Sequence, residues 1–333
     1  MAGLGTIVKS SRIRLARNVE NIPFALEKDS PKRQKLIGDV IKSLGSLGKF
    51  KVYKMNSMSN VDSEIMLGKH LISKELLANT ESGAVLVSED ESLSIMLNEE
   101  DHIRAQCILD GFKLGEAFDR ICELDDQLNA DLNIAYDDKF GYLTSCLTNV
   151  GTGLRASVMM FLPALCLNGK LENIISMLKS KGLTVRGELG EGSSPLGYLY
   201  QISNKNSIGQ SERELVMQVV ASAKEVADRE MEERKKMLAE DHDMVADLAS
   251  RAYGIMTNCY LIDWGEFMQL LGELKLGVAL NVFKLRDNRI LDKLMDICTN
   301  SGIQKIFGYK ILNEDIPRAR AEYLCKTLKN QKL

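Results

Sequence analysis

The sequence contains few of the residues that build metal centres and disulfide frameworks. Its 333 residues include only three histidines, which lie far apart, and seven cysteines, an odd number without a C-x-x-C pair. A zinc knuckle needs closely spaced ligands, and a disulfide framework needs paired cysteines in a secreted chain. Neither class fits, and the scattered cysteines predict a reducing compartment, the cytoplasm.

An excess of charge of one sign and long apolar runs are also missing. The chain has 43 basic and 46 acidic residues, a net charge of −3, so electrostatics give no reason to expect a nucleic-acid or membrane partner. No apolar run reaches the ~18 residues of a membrane span, and the N-terminal segment lacks the apolar core of a signal peptide. Any basic site must therefore be local and formed by folding.

What the sequence does contain is a mixed pattern of strands and helices followed by a purely helical one. Apolar periodicity predicts the following elements: a helix from Pro31, two strands within 84–97, helices over 99–128 and 154–165, strands over 140–148, 183–189 and 198–203, and a long helix after a capping box at Ser211. Beyond about residue 243 only helices are predicted. The fold class is therefore α+β, with one domain over residues 1–235 and an all-α domain for dimerisation or regulation over 236–333.

Five arginines lie where predicted elements meet turns: Arg12, Arg14, Arg104, Arg155 and Arg186. Arg12 and Arg14 alternate in SSRIRLAR, so they share one face of an extended segment. A Walker motif is absent, but guanidinium groups donate bidentately to phosphate oxygens and suit a triphosphate. The glycines of NVGTG could also bring backbone amides to an anion at the N-terminus of the helix predicted after them. On spacing alone, surface arginines in ordinary salt bridges remain the alternative.

Acidic residues cluster at two further places. The run NEEDHIR (98–104) directly follows a strand, and the first turn of a helix would stabilise acids there through its macrodipole. That alternative does not account for the basic residues interleaved with them. Glu191 lies in GEGSSPLG, for which a mobile loop with solvated charges is the simplest interpretation. Cys146 follows an apolar segment and is by default an inert core thiol.

Together, SSRIRLAR, NEEDHIR, GYLTSCLTNVGTGLRAS and VRGELGE, in that order, closely resemble the catalytic motifs of the guanidino (phosphagen) kinases. These enzymes transfer a phosphoryl group from ATP to a guanidinium nitrogen. The resemblance extends from about Ser10 to Glu214, and NEEDH combined with C-x-TN-x-GTG-x-RAS is highly specific. It implies a catalytic domain made of an antiparallel β-sheet flanked by helices, with ATP and Mg²⁺ as cofactors.

The resemblance also implies a role for each motif residue. Glu100, the second glutamate of NEEDH, corresponds to the carboxylate that grips the substrate guanidinium and acts as catalytic base. Glu191 corresponds to the second carboxylate of this clamp, and the five arginines correspond to those around the nucleotide phosphates. Cys146 corresponds to the active-site cysteine, and His70 corresponds more loosely to a residue beside the adenine.

Two features narrow the resemblance to the bacterial protein-arginine kinases. The first arginine motif begins at Ser10, which leaves no room for the helical N-terminal domain of creatine- and arginine-type kinases, and a helical domain follows the catalytic part. This group phosphorylates protein arginines and marks them for the ClpC–ClpP protease. The resemblance implies protein substrates with accessible arginines, an activator protein (McsA) and a homodimer. A kinase of free arginine or another small guanidino compound, and a catalytically silent phosphoarginine or protease adaptor, are the alternatives.

One motif departs from that group, whose helical domain carries R-D-x-x-R-A in a regulatory phosphoarginine pocket. The matching stretch here is EDIPRA, with Glu314 in place of the first arginine and with Asp315 and Arg318 retained. A carboxylate at that position would repel a phosphate. We therefore expect allosteric phosphoarginine binding at Asp315 and Arg318 to be weakened, unless Arg320 substitutes for the missing arginine.

Overall fold

A computed structural model describes residues 4–23, 31–79, 81–187, 195–308 and 311–333. Its strands are β1 (Val8–Arg17), β2 (Phe50–Lys54), β3 (Ala84–Ser88), β4 (Leu93–Leu97), β5 (Ile103–Asp110), β6 (Tyr136–Asp137), β7 (Gly141–Tyr142), β8 (Leu154–Phe161), β9 (Leu183–Gly187) and β10 (Leu199–Asn204). Its α-helices are α1 (Leu4–Ile7), α2 (Pro31–Leu44), α3 (Asn60–Gly68), α4 (Lys74–Ala78), α5 (Leu114–Asp131), α6 (Pro163–Leu167), α7 (Leu171–Ser180), α8 (Glu212–Glu240), α9 (His242–Asn258), α10 (Trp264–Ala279), α11 (Ile290–Ile297), α12 (Asn300–Ile306) and α13 (Ile316–Leu328). Short 3₁₀ turns lie at Met55–Ser57 and Asn313–Asp315. In the described ranges, no helix combines the length and apolar character needed to cross a bilayer.

Eight strands form one antiparallel sheet in the order β2-β3-β4-β5-β1-β8-β10-β9. The strand β1 is central, because it pairs with β5 along one edge and with β8 along the other. The short strands β6 and β7 form a separate hairpin. An antiparallel sheet can bury one face in the core and keep the other polar. The candidate site lies on the polar face of this sheet.

The two faces of the sheet differ sharply in chemistry. Ile13 and Leu15 of β1 point into the main core, where residues of α2, α5 and α8 cover that face. On the opposite face, α3 and α4 cover the outer strands through a smaller apolar cluster that includes Leu76, Val85 and Met96. Beyond that cluster, the same face carries polar side chains on β5, β1, β8, β10 and β9.

The C-terminal helices form a second core that is continuous with one end of the sheet. Phe267, Leu274 and Leu324 are buried in it together with Phe161 and Tyr198 of the sheet region. The long helix α8 begins at the predicted capping box, in which the Ser211 hydroxyl accepts from Glu214 N at 3.3 Å and Ser211 N donates to the Glu214 carboxylate at 2.7 Å. The domain boundary at residue 235 stays a prediction, and it falls within α8.

Several predicted elements are confirmed, and three are wrong. The α+β fold class, the start of α2 at Pro31, the strand pair within 84–97, the strand β10 and the helix α8 are confirmed. The predicted helix over 99–128 is wrong in its first part, where β5 precedes α5. The helix predicted over 154–165 is the strand β8 followed by α6, and the strand predicted over 140–148 is reduced to β7.

Arg17, at the end of β1, ties three elements together. Its Nε and Nη2 donate to the two carboxylate oxygens of Asp125 on α5 at 2.9 and 2.7 Å, and Nη2 also donates to Glu212 on α8 at 3.1 Å. Its guanidinium carbon lies 3.3 Å from the ring centroid of Tyr142. Because this side chain is only 1% exposed, its charge is balanced by these partners rather than by water.

We expect Arg17→Met to lower the free energy of unfolding by about 3–5 kcal/mol, because the substitution leaves the carboxylate of Asp125 buried without its partner. Urea unfolding followed by far-UV circular dichroism measures the change. Arg120→Met is the matched control, since Arg120 pairs with Glu116 and Asp90 at the surface and its loss should cost less than about 1 kcal/mol. Equal effects of the two substitutions would contradict the assignment.

Candidate active site

Strand pairing brings the first four of the five arginines to neighbouring positions on the polar face. Arg14 of β1 lies directly opposite Arg155 of β8. On the other side of β1, Arg14 lies opposite Gln106 of β5, and Arg104 is two residues away on the same face of that strand. Arg12 is two residues from Arg14 and therefore also points to this face.

The fifth arginine reaches the same face through the next two strands. Ser157 of β8 pairs with Ser203 of β10, and Gln201 of β10 pairs with Arg186 of β9. Because residues two apart in a strand share a face, Arg186 lies on the side of the sheet that carries Arg155. Four strands separated by long stretches of sequence thus present all five guanidinium groups together.

Burial and mutual repulsion both act on this arginine cluster. Burial, and then the charges of the other four arginines, lower the pKa of Arg14 well below its ordinary value. Burial together with Arg104 and Arg155 lowers the pKa of Arg12 to about 9. Among the described residues no carboxylate forms an ion pair with Arg12 or Arg14, and the buried Arg14 Nε has no hydrogen-bond partner there. The surface salt-bridge alternative is therefore wrong for these two residues.

Neutral side chains orient the arginines without cancelling their charge. The Nε of Arg12 donates to Gln106 Oε1 at 3.0 Å, and Gln106 Nε2 donates in turn to Ser94 Oγ at 2.7 Å. Arg155 Nη2 donates to Ser203 Oγ at 3.0 Å. Sequence reasoning missed Gln106 and Ser203. The alternation of Arg104 and Gln106 in RAQ would have indicated Gln106, had residues 103–110 been read as a strand.

The acidic run lies in the tight turn between β4 and β5, so its interpretation as a helix N-terminus is wrong. The carboxylate of Glu99 is buried and accepts hydrogen bonds from Arg104 and from Ser73 Oγ. Glu100 is only half-buried, and burial together with the neighbouring charges of Asp101 and Glu99 raises its pKa. The charge of Glu99 is thus neutralised by Arg104, whereas the carboxylate of Glu100 binds a proton more readily than usual.

Two buried residues, Asp101 and His102, fix the backbone directly after Glu100. The Oδ1 of Asp101 accepts from Asn18 Nδ2 and from Ser145 N, both at 2.6 Å. His102 Nδ1 accepts from Val19 N at 3.0 Å, and its Nε2 lies 3.0 Å from a backbone carbonyl. Burial lowers the pKa of His102, so its ring is neutral and Nε2 donates that hydrogen bond. The histidine of NEEDH is therefore a structural residue.

Cys146 lies in a loop that contacts the turn of Glu100. The hydroxyl of Ser145 donates to the backbone carbonyl of Glu100 at 2.9 Å. The thiol of Cys146 is partly exposed and lies 3.0 Å from Thr148 Oγ1. Its default interpretation as a core thiol is therefore wrong, because the residue is partly exposed in a loop that contacts the turn of Glu100.

The two remaining predicted site residues are His70 and Glu191. His70 follows α3, and its backbone carbonyl accepts a hydrogen bond from Gln106. Because the same Gln106 side chain accepts from Arg12, His70 lies beside the arginine cluster. Desolvation of the ring, and then repulsion by Arg12 and Arg14, lower the pKa of His70 to about 4. Glu191 lies outside the described residues.

The glycine-rich stretch NVGTG precedes the strand β8, so the helix N-terminus that it was expected to form is absent from this described segment. Gly153 has a φ of +64°, and a Cβ there would lie 2.6 Å from the carbonyl oxygen of Ala16. Gly151 is similarly close to the backbone of Ser207. These glycines allow the loop to pack against neighbouring backbone.

The altered EDIPRA motif lies at the start of α13. Asp315 and Arg318 are both exposed, and the guanidinium carbon of Arg318 is 5.2 Å from the ring centroid of Tyr260. Arg320 is buried, and its Nε and Nη1 donate to the carbonyl oxygens of Cys298 and Ile262 at 2.7 and 2.9 Å. Arg320 therefore does not substitute for the missing arginine.

Comparison with known families identifies the class of protein. The family model "ATP:guanido phosphotransferase, C-terminal catalytic domain" matches residues 32–257. A solved lombricine kinase superimposes with a TM-score of 0.61 at 25% identity, over 68% of this chain and 67% of that one. A duplicated taurocyamine kinase from Schistosoma mansoni, at 24% identity and a TM-score of 0.62 over 78% of this chain and 39% of that one, supports the fold alone. The class is a phosphotransferase that acts on a guanidino group.

A second family model, "Protein-arginine kinase McsB C-terminal domain", matches residues 242–332. The protein-arginine kinase of Caldanaerobacter subterraneus subsp. tengcongensis is 39% identical over 97% of both chains. Those of Geobacillus stearothermophilus and Symbiobacterium thermophilum are 39% and 40% identical, over 97% and 94% of this chain and 90% and 91% of theirs. The chain belongs to the protein-arginine kinases.

Proposed function

We propose that this protein transfers the γ-phosphoryl group of ATP to the guanidinium of arginine side chains in proteins. The observation that carries the proposal is the placement of five guanidinium groups on one sheet face, with the Glu100 carboxylate at the end of that sheet within electrostatic reach of Arg104. The phosphates of ATP would bind the arginines, and the acceptor guanidinium would bind Glu100 next to them.

The arginine cluster is suited to a nucleotide triphosphate. Burial, and then repulsion by the neighbouring arginines, lower the pKa values of Arg12 and Arg14, and phosphate oxygens would relieve that repulsion. Because Gln106 and Ser203 already orient Arg12 and Arg155, little reorganisation is needed on binding. Preorganised charges of this kind stabilise the transferring phosphoryl group by positioning and electrostatics. We assign His70, at the edge of the cluster, to the neighbourhood of the adenine.

Glu100 would grip the acceptor guanidinium and remove its proton. An arginine Nη attacks the γ-phosphorus, the N–P bond forms, and the bond from phosphorus to the β-γ bridging oxygen breaks to leave ADP. The proton of the attacking nitrogen passes to the Glu100 carboxylate. A raised pKa suits this step, because a base works best when its pKa approaches the working pH. We assign Glu191 to the second carboxylate of the clamp, and Cys146 to the loop that borders the acceptor.

Magnesium is proposed to enter with the nucleotide. In the described part of the chain, no group of three or more His, Cys, Asp or Glu side chains could hold a metal ion. This fits Mg²⁺, which usually keeps several waters and is held largely by substrate phosphates rather than by a protein cage. The bound ion would neutralise phosphate charge, while the arginines hold and orient the same groups.

The wider role follows from the resemblance to the bacterial group. We propose that the protein acts in the cytoplasm with the activator McsA and marks substrates for ClpC–ClpP, and that residues 1–235 form the catalytic domain. We assign dimerisation to the helical domain, 236–333, where Tyr260 and Leu261 are 69% and 57% exposed and supply apolar surface for a homodimer. The exposed pair Asp315 and Arg318 remains the candidate for weakened phosphoarginine regulation.

Incubation with Mg-ATP and an unfolded, arginine-containing protein tests the activity, with mass spectrometry at mild pH to retain the acid-labile phosphate. We expect phosphoarginine on the protein, and an at least tenfold lower kcat/KM for free arginine. The same acceptor with every arginine replaced by lysine is the matched control. Preference for free arginine would favour a small-molecule kinase, and binding of phosphoarginine without ADP release would favour an adaptor.

A further inference from the structure

Leu147, directly after Cys146, is 85% exposed, the highest value for a large apolar side chain in the described residues. A single exposed leucine is ordinary on a protein surface. Its position is less ordinary, because polar contacts hold the loop on both sides of it. Ser145 bonds to the backbone of Glu100, and Asn149 N donates to the Cys146 carbonyl at 2.9 Å. The loop that carries Leu147 is therefore joined to the turn of Glu100.

Two further exposed apolar side chains border the same loop. Ile208 is 57% exposed, and the hydroxyl of the preceding Ser207 donates to the carbonyls of Thr148 and Val150 at 3.0 and 2.7 Å. Phe140 is 50% exposed and precedes Gly141, whose backbone packs on Gly151 at the end of the loop. We call Phe140, Leu147 and Ile208 the apolar rim.

We propose that the apolar rim contacts the residues that flank the acceptor arginine and selects arginines with apolar neighbours. This inference rests on the proposed function. Because Ser145 joins this loop to the turn of Glu100, a substrate segment that places its guanidinium at Glu100 would run beside the rim. In folded proteins, apolar residues are mostly buried. A rim of this kind therefore favours arginines in unfolded or extended segments of the substrate.

Two peptides that differ only beside a single arginine test the rim, one with leucine and one with serine on each side of it. Removing a large part of one leucine from water corresponds to about a tenfold change in affinity. We expect the wild-type kcat/KM to be about tenfold higher for the leucine peptide, mainly through KM. Leu147→Ser should reduce this ratio to about threefold or less, and Ile208→Ser should reduce it in the same direction.

Met217→Ser is the matched control, because Met217 is 64% exposed on α8, which packs against the other face of the sheet. The ratio of kcat/KM for the leucine and serine peptides should be the same in Met217→Ser as in the wild type. Equal kcat/KM for both peptides in the wild-type protein would overturn the inference and leave the proposed function intact. If neither the peptides nor the unfolded protein acceptor were phosphorylated, the proposed function itself would be refuted. A lower mass of Leu147→Ser by light scattering would instead assign the rim to contact between copies of this chain.

Discussion

Glu100→Gln is expected to slow phosphoryl transfer about 10²–10⁴-fold, the contribution typical of a positioned general base. Glutamine keeps the shape of the side chain but can neither accept the guanidinium proton nor neutralise the cation in the transition state. Nucleotide binding should persist, because we assign the phosphates to the arginines and not to Glu100. Initial rates of ADP release with a protein acceptor measure the first effect, and calorimetric titration with ATP measures the second.

Glu75→Gln supplies the matched control for this substitution. Glu75 lies on α4, is exposed, and contributes its charge to the electrostatic field at Glu100. The same chemical change there should alter the rate by less than about threefold, because a solvated charge at that distance is screened. If Glu100→Gln lost ATP affinity to the same extent as activity, the residue would belong to the nucleotide site instead of the acceptor clamp.

The raised pKa of Glu100 also has consequences for pH dependence. A base must be deprotonated, so kcat/KM should fall as the pH drops through the pKa of Glu100, with a midpoint above the ordinary value of 4.5. The same shift stabilises the folded state at low pH, and that contribution is lost as the pH rises through the folded pKa. Glu100→Gln should therefore be slightly more stable than the wild type at neutral pH, and should lose this advantage at acidic pH.

Two of the three errors in the predicted elements have a common physical cause. The strands β5 and β8 lie in the middle of the sheet, and much of both faces is covered, so their residues are buried without clean alternation. In β5, apolar residues at 103, 107 and 108 imitate the spacing of a helix. By contrast, β3 and β4 are joined by a short polar turn, and α8 begins with a capping box. These local signals were sufficient to predict the strand pair and the helix.

The candidate site also has a part that could be predicted from local sequence and a part that could not. Alternation in SSRIRLAR was enough to place Arg12 and Arg14 on one face, since that depends on one strand alone. The convergence of Arg104, Arg155 and Arg186 depends on the pairing of distant strands, which spacing does not determine. Only the resemblance to a known family predicted it. The supporting residue Gln106 was missed because its strand was taken for a helix.

Arg14→Met is expected to move stability and catalysis in opposite directions. Methionine fills much of the same space but removes a buried charge that four other arginines repel and a Nε without a partner in the described residues. Relief of one unsatisfied buried polar group is worth about 1–3 kcal/mol. The nucleotide-free protein should therefore gain about that much free energy of unfolding, while activity falls about 10²–10³-fold through loss of one phosphate-binding group.

Two unfolding measurements separate this outcome from a general loss of structure. Without nucleotide, urea unfolding should show Arg14→Met above the wild type and Arg17→Met well below it, although both replace an arginine of β1. With saturating ATP, ligand binding raises the stability of the wild type by mass action, and this rise should shrink in Arg14→Met because its affinity is lower.

The opposite behaviour of two arginines three positions apart would follow from their surroundings, since Arg17 lies between carboxylates and Arg14 among cations. If Arg14→Met unfolded as easily as Arg17→Met, Arg14 would be a structural residue, and the cationic face would not be held ready for phosphate.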